Sequence, residues 1–237
     1  MIKGDLRKKQ ILDTAETLFA ERGYEATGVQ DILDVLNLSK GSFYHHFESK
    51  EQVLQKICEA RAERAAGLIH ESENGDGLEN LNLLLRGFIP FQGEGLTFLK
   101  MILPVFILPE GKSVRAGYQE ALKACWLPMT EKAVLQMISQ REAYTQYPAK
   151  TAEMILDLVN DLWAQISQLL IQSGRQKNRD AEQINPGQIL SLVEPYRAAV
   201  ENLLCAPYGS IGLISLEELD QTIRTIHEHM NRTGSCG

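Results

Sequence analysis

The stretch NLSKGSFYHHFESKEQVL, residues 37–54, decides how this chain is organised. Phe43 and Phe47 lie one helical turn apart, which predicts that both rings are buried together against preceding helices. The rest of that helix carries lysine, hydroxyl, aromatic and imidazole groups, with no carboxylate before Glu48. A polar face without carboxylates suits an anionic partner.

Helical periodicity continues on both sides of this stretch. An apolar stripe at three- and four-residue steps predicts a first helix that ends at Gly23. A second helix is predicted with Val29, Ile32, Leu33 and Leu36 on one face. A short helix, 39–47, follows it after only two or three residues. So tight a connection is typical of a helix-turn-helix. An ordinary helical hairpin within a bundle is the alternative.

Helix starts in this region are marked by capping residues. Thr27 with Gln30, and Ser49 with Gln52, have the spacing of a capping box. Ser39 is predicted to begin the short helix between them.

Double-stranded DNA suits the polar face of the short helix. Lysines hold phosphates, and the exposed face of a recognition helix enters the major groove. A second group of bases, at the start of the first helix, would add an electrostatic contact; it consists of Lys3, Arg7, Lys8 and Lys9. The overall charge does not favour DNA binding, because the chain has a net charge of −7 and residues 1–50 contain seven basic and eight acidic residues. The interpretation therefore depends on where the bases lie.

The longer stretch TGVQDILDVLNLSKGSFYHHFESKEQVL, residues 27–54, resembles the DNA-binding signature of the TetR family of bacterial transcriptional regulators. The matching residues are Thr27, Ile32, Ser39, Lys40, Gly41, Tyr44, His46, Phe47, Lys50, Glu51 and Leu54. The sequence departs at Leu33, where the family often has alanine, and at Asn37 and Leu38, which replace a common Gly-Val turn.

This resemblance implies an all-α fold with two domains. Residues 1–50 would form a three-helix helix-turn-helix DNA-binding domain, and residues 51–237 a helical effector-binding and dimerisation domain. Thr27 and Lys50 would hold phosphates, and His46 would lie near the DNA backbone. The groove-facing side chains would be those of Lys40, Ser42, Tyr44 and His45, and Ser39 and Gly41 complete the DNA-binding set. The alternatives are that Tyr44 and His46 pack within the protein and that Lys40 is only solvated.

Two apolar stripes in the C-terminal half predict a dimer seam. They lie on helices predicted at 148–175 and 186–205, and two such helices from each subunit would form a four-helix bundle. The predicted dimerisation residues are Ile155, Leu158, Leu162, Ile166, Leu192, Tyr196 and Leu203. The alternative is that both stripes are intramolecular core.

Large apolar side chains in the middle of the chain are candidates for an effector pocket, because aromatic and methionine side chains can line a cavity. The predicted set is Phe98, Met101, Tyr118, Trp126 and Trp163. Few charges interrupt 96–108, which favours a small, largely apolar effector. Ordinary core is the alternative for each residue.

Prolines mark further helix boundaries. Pro148 and Pro186 occupy positions typical of a first helical turn. Pro104 and Pro128 are expected to kink or break their segments. A further helix is predicted at 215–231, within a segment, 207–237, that lies past the usual end of the family's fold.

Several function classes are disfavoured. The four cysteines are scattered, and no secretory signal is recognised, which indicates a cytoplasmic protein with free thiols. No apolar run approaches the roughly 20 residues of a membrane span. Neither a cofactor nor a metal site is expected, since His45 and His46 diverge by about 100° on a helix. No phosphate loop, GxSxG or HExxH motif is present, so an enzyme is not expected.

The predicted function is a ligand-responsive transcriptional repressor. It would bind a palindromic operator as a homodimer and release it when an apolar small molecule fills the C-terminal domain. A transcriptional activator, a regulator controlled by a protein partner and a helical enzyme are the alternatives.

Overall fold

The structure, a computed structural model, describes residues 3–70, 76–88, 98, 101–103, 105, 111–175 and 186–214. These residues form eight helices and no β-strand, which confirms the predicted all-α class. The helices are α1 (Lys3–Arg22), α2 (Val29–Leu36), α3 (Lys40–Tyr44), α4 (Lys50–His70), α5 (Gly77–Phe88), α6 (Gly111–Ser139), α7 (Pro148–Arg175) and α8 (Pro186–Leu204). The helix predicted at 215–231 and Pro104 lie outside the described residues.

The described residues within 1–63 and 97–121 form one compact unit. Its core is apolar and contains side chains from α1 to α4 that are almost completely buried, among them Ile11, Phe19, Ile32, Phe43, Phe47 and Leu54. The Arg61 guanidinium forms an ion pair with Glu16 at 2.5 Å, and this pair joins α4 to α1. The unit therefore holds the short helix α3 on a packed support.

Two of the three helix caps predicted in this unit are present in the structure. The Ser39 hydroxyl accepts a hydrogen bond from Ser42 N, and Ser49 accepts one from Gln52 N, as predicted. At α2 the capping prediction is wrong, because the N-cap is Gly28, whose amide donates to the Asp31 carboxylate. Asn37, in the left-handed region at φ 50°, ends α2.

The described residues within 64–96 and 122–237 form a second compact unit. Trp126 lies at its centre, where the indole N–H donates to Leu84 O at 3.0 Å and the ring packs edge-on against Phe88. Helices α7 and α8 begin at Pro148 and Pro186, as predicted. Pro128 does not break its helix, since α6 continues through it.

The segment after α8, residues 205–214, is docked on this unit. Glu201 is buried; its carboxylate accepts from Arg197 at 2.8 Å and from Ile211 N at 3.2 Å. The Asn82 amide spans two backbone groups of the segment, donating to Ser210 O and accepting from Gly212 N. The described part of the segment 207–237 is thus fixed to α5 and α8.

None of the helices in the described residues is long and apolar enough to cross a membrane.

Candidate DNA-binding surface

Helix α3 separates an apolar side from a polar one. Phe43 and Phe47 are buried with ring centroids 5.9 Å apart, which confirms their predicted packing. On the other side Tyr44 is 57% exposed, and Lys40 and His45 are exposed as well. The exposed aromatic and cationic groups therefore stand on a rigid base.

The other predicted DNA-binding residues of this region are Ser42, within α3, and Ser39 and His46, which flank it. Ser39 is exposed and Ser42 is half-buried. His46 is also half-buried, and its ring lies edge-on to that of His45 with centroids 5.0 Å apart. The two imidazoles are thus adjacent on the surface.

Gly41 has no packing reason to be glycine. A Cβ at this position would meet only the Ser39 hydroxyl, at 4.0 Å. Glycine inside a helix costs roughly 0.5–1 kcal/mol relative to alanine. Its presence on the exposed face is accounted for if a partner approaches the backbone there.

Thr27 does not lie where a phosphate contact requires it. The residue is 0% exposed, and its hydroxyl donates to Gly23 O at 2.8 Å. It also lies 3.4 Å from Leu18 O, at the end of α1. The role implied for this side chain is corrected, because the hydroxyl faces the interior and holds the turn between α1 and α2.

Lys50 also reaches into the protein. Its ammonium donates to Tyr24 O at 2.9 Å and to Thr27 O at 3.1 Å. The same nitrogen lies 4.1 Å from the centroid of the Tyr24 ring. The phosphate contact implied for Lys50 competes with these three interactions.

The base cluster at the start of α1 is accessible. Lys8 and Lys9 are exposed, and Arg7 donates to Gln10 within its own helix. The side chain of Lys3 lies outside the described residues. The first unit thus presents cationic groups at α3 and at the start of α1.

The predicted dimer seam divides into two groups in the structure. Ile155, Leu162 and Ile166 are each 0% exposed within the single chain, so they belong to its own core. Their assignment to the seam is wrong, because α7 packs along α8 with this face inward. Leu158, Leu192, Tyr196 and Leu203 are half-buried and remain accessible to a partner.

An open groove of about 780 Å³ runs between α7 and α8. Its lining residues are Met154, Asp157, Leu158, Asp161, Ala199, Asn202 and Leu203. The α7 members follow steps of three and four residues, adjacent to the buried stripe of the same helix. The sequence prediction included only Leu158 and Leu203 and missed the other five. The pattern that could have revealed the α7 members is this second row of side chains, at helical spacing beside the buried stripe.

Both acids in the groove are engaged within their own chain. Asp157 accepts from the Lys123 ammonium at 2.6 Å. Asp161 accepts hydrogen bonds from the Tyr196 hydroxyl and from Gln165. Burial and the hydrogen bond to Asp161 raise the pKa of Tyr196 to about 12, so this phenol remains a donor at neutral pH.

The five predicted effector-contacting residues are all buried. Phe98, Met101 and Tyr118 belong to the first unit, where the rings of Phe98 and Tyr118 pack with centroids 5.3 Å apart. Burial raises the pKa of Tyr118 above its usual range. Trp126 and Trp163 belong to the second unit. Their role in effector binding stays a prediction.

The N-terminal region is similar to a family of known proteins. Residues 11–57 match the family described as "Bacterial regulatory proteins, tetR family". The repressor KstR2 of Rhodococcus jostii is 53% identical over 51 residues, which cover 22% of this chain and 25% of that protein. The chain therefore aligns with about a quarter of the length of that relative.

Solved structures share the fold of most of this chain, beyond the N-terminal region. A TetR-family transcriptional regulator from Mesorhizobium loti has a TM-score of 0.55 at 16% identity, covering 86% of this chain and 98% of its own. A transcriptional regulator from Saccharomonospora viridis, in complex with choline, has a TM-score of 0.53 at 20% identity and covers 83% and 96%. The resemblance of residues 27–54 is thereby confirmed. Residues 11–57 thus match a domain of the family of bacterial regulatory proteins named after TetR, and the chain shares the fold of solved structures described as TetR-family regulators.

Proposed function

We propose that this chain is a cytoplasmic transcriptional repressor that binds a palindromic operator as a homodimer and releases it when a small, largely apolar effector binds. The observation that carries the proposal is the exposed face of α3. Lys40, Tyr44 and His45 are exposed at α3 and its C-cap, while Phe43 of α3 and the following Phe47 are buried in the core. Because its support is rigid, this face can enter a major groove without reorganisation.

The repressor assignment is supported by KstR2, which is a transcriptional repressor. That similarity extends over 51 residues, and the family model matches residues 11–57, which include α3. A regulator of this kind acts without catalysis, so no reaction is assigned to the chain.

The groove on α7 and α8 supports a homodimer. Met154 is 42% exposed there, and Leu158 and Leu203 are half-buried in the single chain. Asp157 and Asp161 each have a partner in their own chain, so a second copy can approach without supplying a base for them. A two-fold dimer of this kind matches the two half-sites of a palindrome.

Effector binding is supported less directly. Phe98, Met101 and Tyr118 in the first unit, and separately Trp126 and Trp163 in the second, are buried side chains of the kind that line ligand cavities. The structural neighbour from Saccharomonospora viridis was solved with choline, a small molecule. An effector releases DNA only if it binds the DNA-free conformation more tightly.

The DNA-binding part of the proposal is tested on duplexes from the DNA flanking the gene. We expect tight binding to one fragment, with log affinity falling linearly as log salt rises, by about 0.9 for each phosphate neutralised. Fluorescence anisotropy at four or five salt concentrations measures this slope. An acidic protein without a nucleic-acid site would show no affinity at any of them.

The effector part is tested on the chain's two tryptophans. An apolar effector should change the emission of Trp126 or Trp163 and lower DNA affinity. DNA should weaken effector binding by the same factor, because the coupling is reciprocal. Trp126→Phe and Trp163→Phe assign the emission change. Equal effector affinity with and without bound DNA would contradict the proposed release.

Gly41→Ala is predicted to separate stability from binding. Alanine should stabilise α3 by about 0.5–1 kcal/mol, because glycine loses more conformational freedom on folding. It should nevertheless weaken DNA binding, since the new methyl group stands where the duplex approaches. Thermal unfolding and anisotropy measure the two effects.

Gly67→Ala is the matched control for this variant. Gly67 is an exposed glycine of α4 whose Cβ would meet nothing within 4 Å. It should bring the same gain in stability and leave DNA affinity unchanged. If Gly41→Ala binds DNA as the parent does, close approach at Gly41 is ruled out.

A further inference from the structure

The first residue of α4 is bonded to the turn that leads into α2. The Lys50 ammonium lies 2.9 Å from Tyr24 O and 3.1 Å from Thr27 O, and 4.1 Å from the Tyr24 ring centroid. A lysine ammonium has three N–H donors, and two of them are used by these carbonyls. The ring face occupies a further side of the cation. These three contacts fix the ammonium within its own chain.

The turn that receives Lys50 is itself held firmly. Thr27 N–H donates to Tyr24 O at 3.3 Å, and the Thr27 hydroxyl donates to Gly23 O. The Tyr24 ring is buried and packs edge-on against Phe19 of α1, with centroids 5.1 Å apart. The ammonium therefore binds a fixed part of the unit.

Both ends of this link adjoin the DNA-binding helices. The turn ends at Gly28, the N-cap of α2, and Lys50 follows the buried Phe47 by three residues. A shift of α4 along its axis would pull on the entry to α2 through this ammonium. Lys50 thus connects the chain that follows α3 to the turn that precedes α2.

We infer that Lys50 is a positioning residue, which ties the start of α4 to the turn before α2 and so sets the orientation of α3 on DNA, in place of holding a phosphate. The inference rests on the proposed DNA binding for its effect on affinity. The link itself rests on the three contacts of the ammonium alone.

Lys50→Met tests the inference, because it keeps an unbranched side chain and removes the ammonium. We expect DNA affinity to fall roughly 10-fold, as it would if only about a tenth of the molecules kept the orientation of α3 that binds DNA. The slope of log affinity against log salt should equal that of the parent. A phosphate contact would instead reduce the magnitude of the slope by about 0.9. Lys50→Arg, which can still donate to both carbonyls, should recover most of the affinity.

Lys56→Met is the matched control. Lys56 lies on the same helix and pairs with Glu59 at 2.5 Å, so its loss removes a charge without touching the turn. Its affinity and slope should be those of the parent. Measurements are made at a temperature where circular dichroism shows every variant to be folded.

Two outcomes on DNA overturn the inference: a reduced slope in Lys50→Met, or parental affinity in that variant. Amide hydrogen exchange tests the link without DNA. In Lys50→Met the amides of Thr27 and Gly28 should exchange faster, and unchanged exchange would overturn the link. If the parent binds no flanking duplex, the proposed function and the effect of Lys50 on DNA binding both fail, whereas the exchange result still decides whether Lys50 ties α4 to the turn.

Discussion

Leu162→Glu should unfold the C-terminal unit, whereas Leu203→Glu should yield folded monomers. Leu162 is 0% exposed within one chain, so the new carboxylate would be buried without a partner. Such a charge costs about 3–5 kcal/mol, a large part of the roughly 5–15 kcal/mol by which a domain is stable. Leu203 lines the open groove, where a carboxylate remains hydrated in the monomer and is buried only on association.

Sedimentation velocity and thermal unfolding distinguish these two results. Leu135→Glu serves as the control, because Leu135 is 49% exposed on α6 and is not part of the groove. It should remain a folded dimer. A dimer formed by Leu203→Glu would place the interface elsewhere, and a folded monomer formed by Leu162→Glu would restore that residue to the seam.

The double variant Lys40→Ala/Tyr44→Ala should lose most of its operator affinity while it stays folded and dimeric. Both side chains are exposed, so little packing is lost. Each contact to a base edge contributes about 1–3 kcal/mol, which makes the combined loss of affinity large. Anisotropy with the operator duplex measures it.

The control for this pair is Tyr144→Ala/Lys112→Ala, which removes the same two residue types from exposed positions outside α3. It should bind like the parent. Parental affinity in Lys40→Ala/Tyr44→Ala would mean that α3 is not the recognition helix.

Sequence reasoning was reliable where one local pattern decides the outcome. The one-turn spacing of Phe43 and Phe47 was enough to bury both rings. Ser39 caps α3 because its hydroxyl needs only an amide three residues away. Pro148 begins α7 because a proline at the first turn leaves no amide unsatisfied.

The sequence predictions failed where a side-chain hydroxyl or ammonium is bound by residues that local spacing does not reveal. Thr27 has the spacing of a helix cap, but its hydroxyl donates to Gly23 O, in the turn after α1. The N-cap of α2 is Gly28, whose amide donates to the Asp31 carboxylate. Lys50 belongs to the DNA-binding signature, yet the carbonyls that accept its hydrogen bonds are those of Tyr24 and Thr27, 26 and 23 positions earlier in the chain. No local pattern contains those distances.

The face of α7 illustrates the same limit. Its periodicity predicts an apolar stripe, but a helix that is covered by its own chain on one side and by a partner on another has two apolar rows. Leu162 lies in the first row and Leu158 in the second. Only the packing of α7 on α8 shows which row the single chain already covers.

The most direct test of the central claim is a hydroxyl-radical footprint of the protein on DNA flanking its gene. If two copies each place one α3 in a major groove, an inverted repeat should be protected. Its half-site centres should lie about 34–36 Å apart, or a multiple of that distance. Lys40→Ala/Tyr44→Ala should abolish the protection at the same concentration. Uniform weak protection without a repeated half-site, unchanged in that variant, would contradict the assignment of α3 as the element that reads DNA.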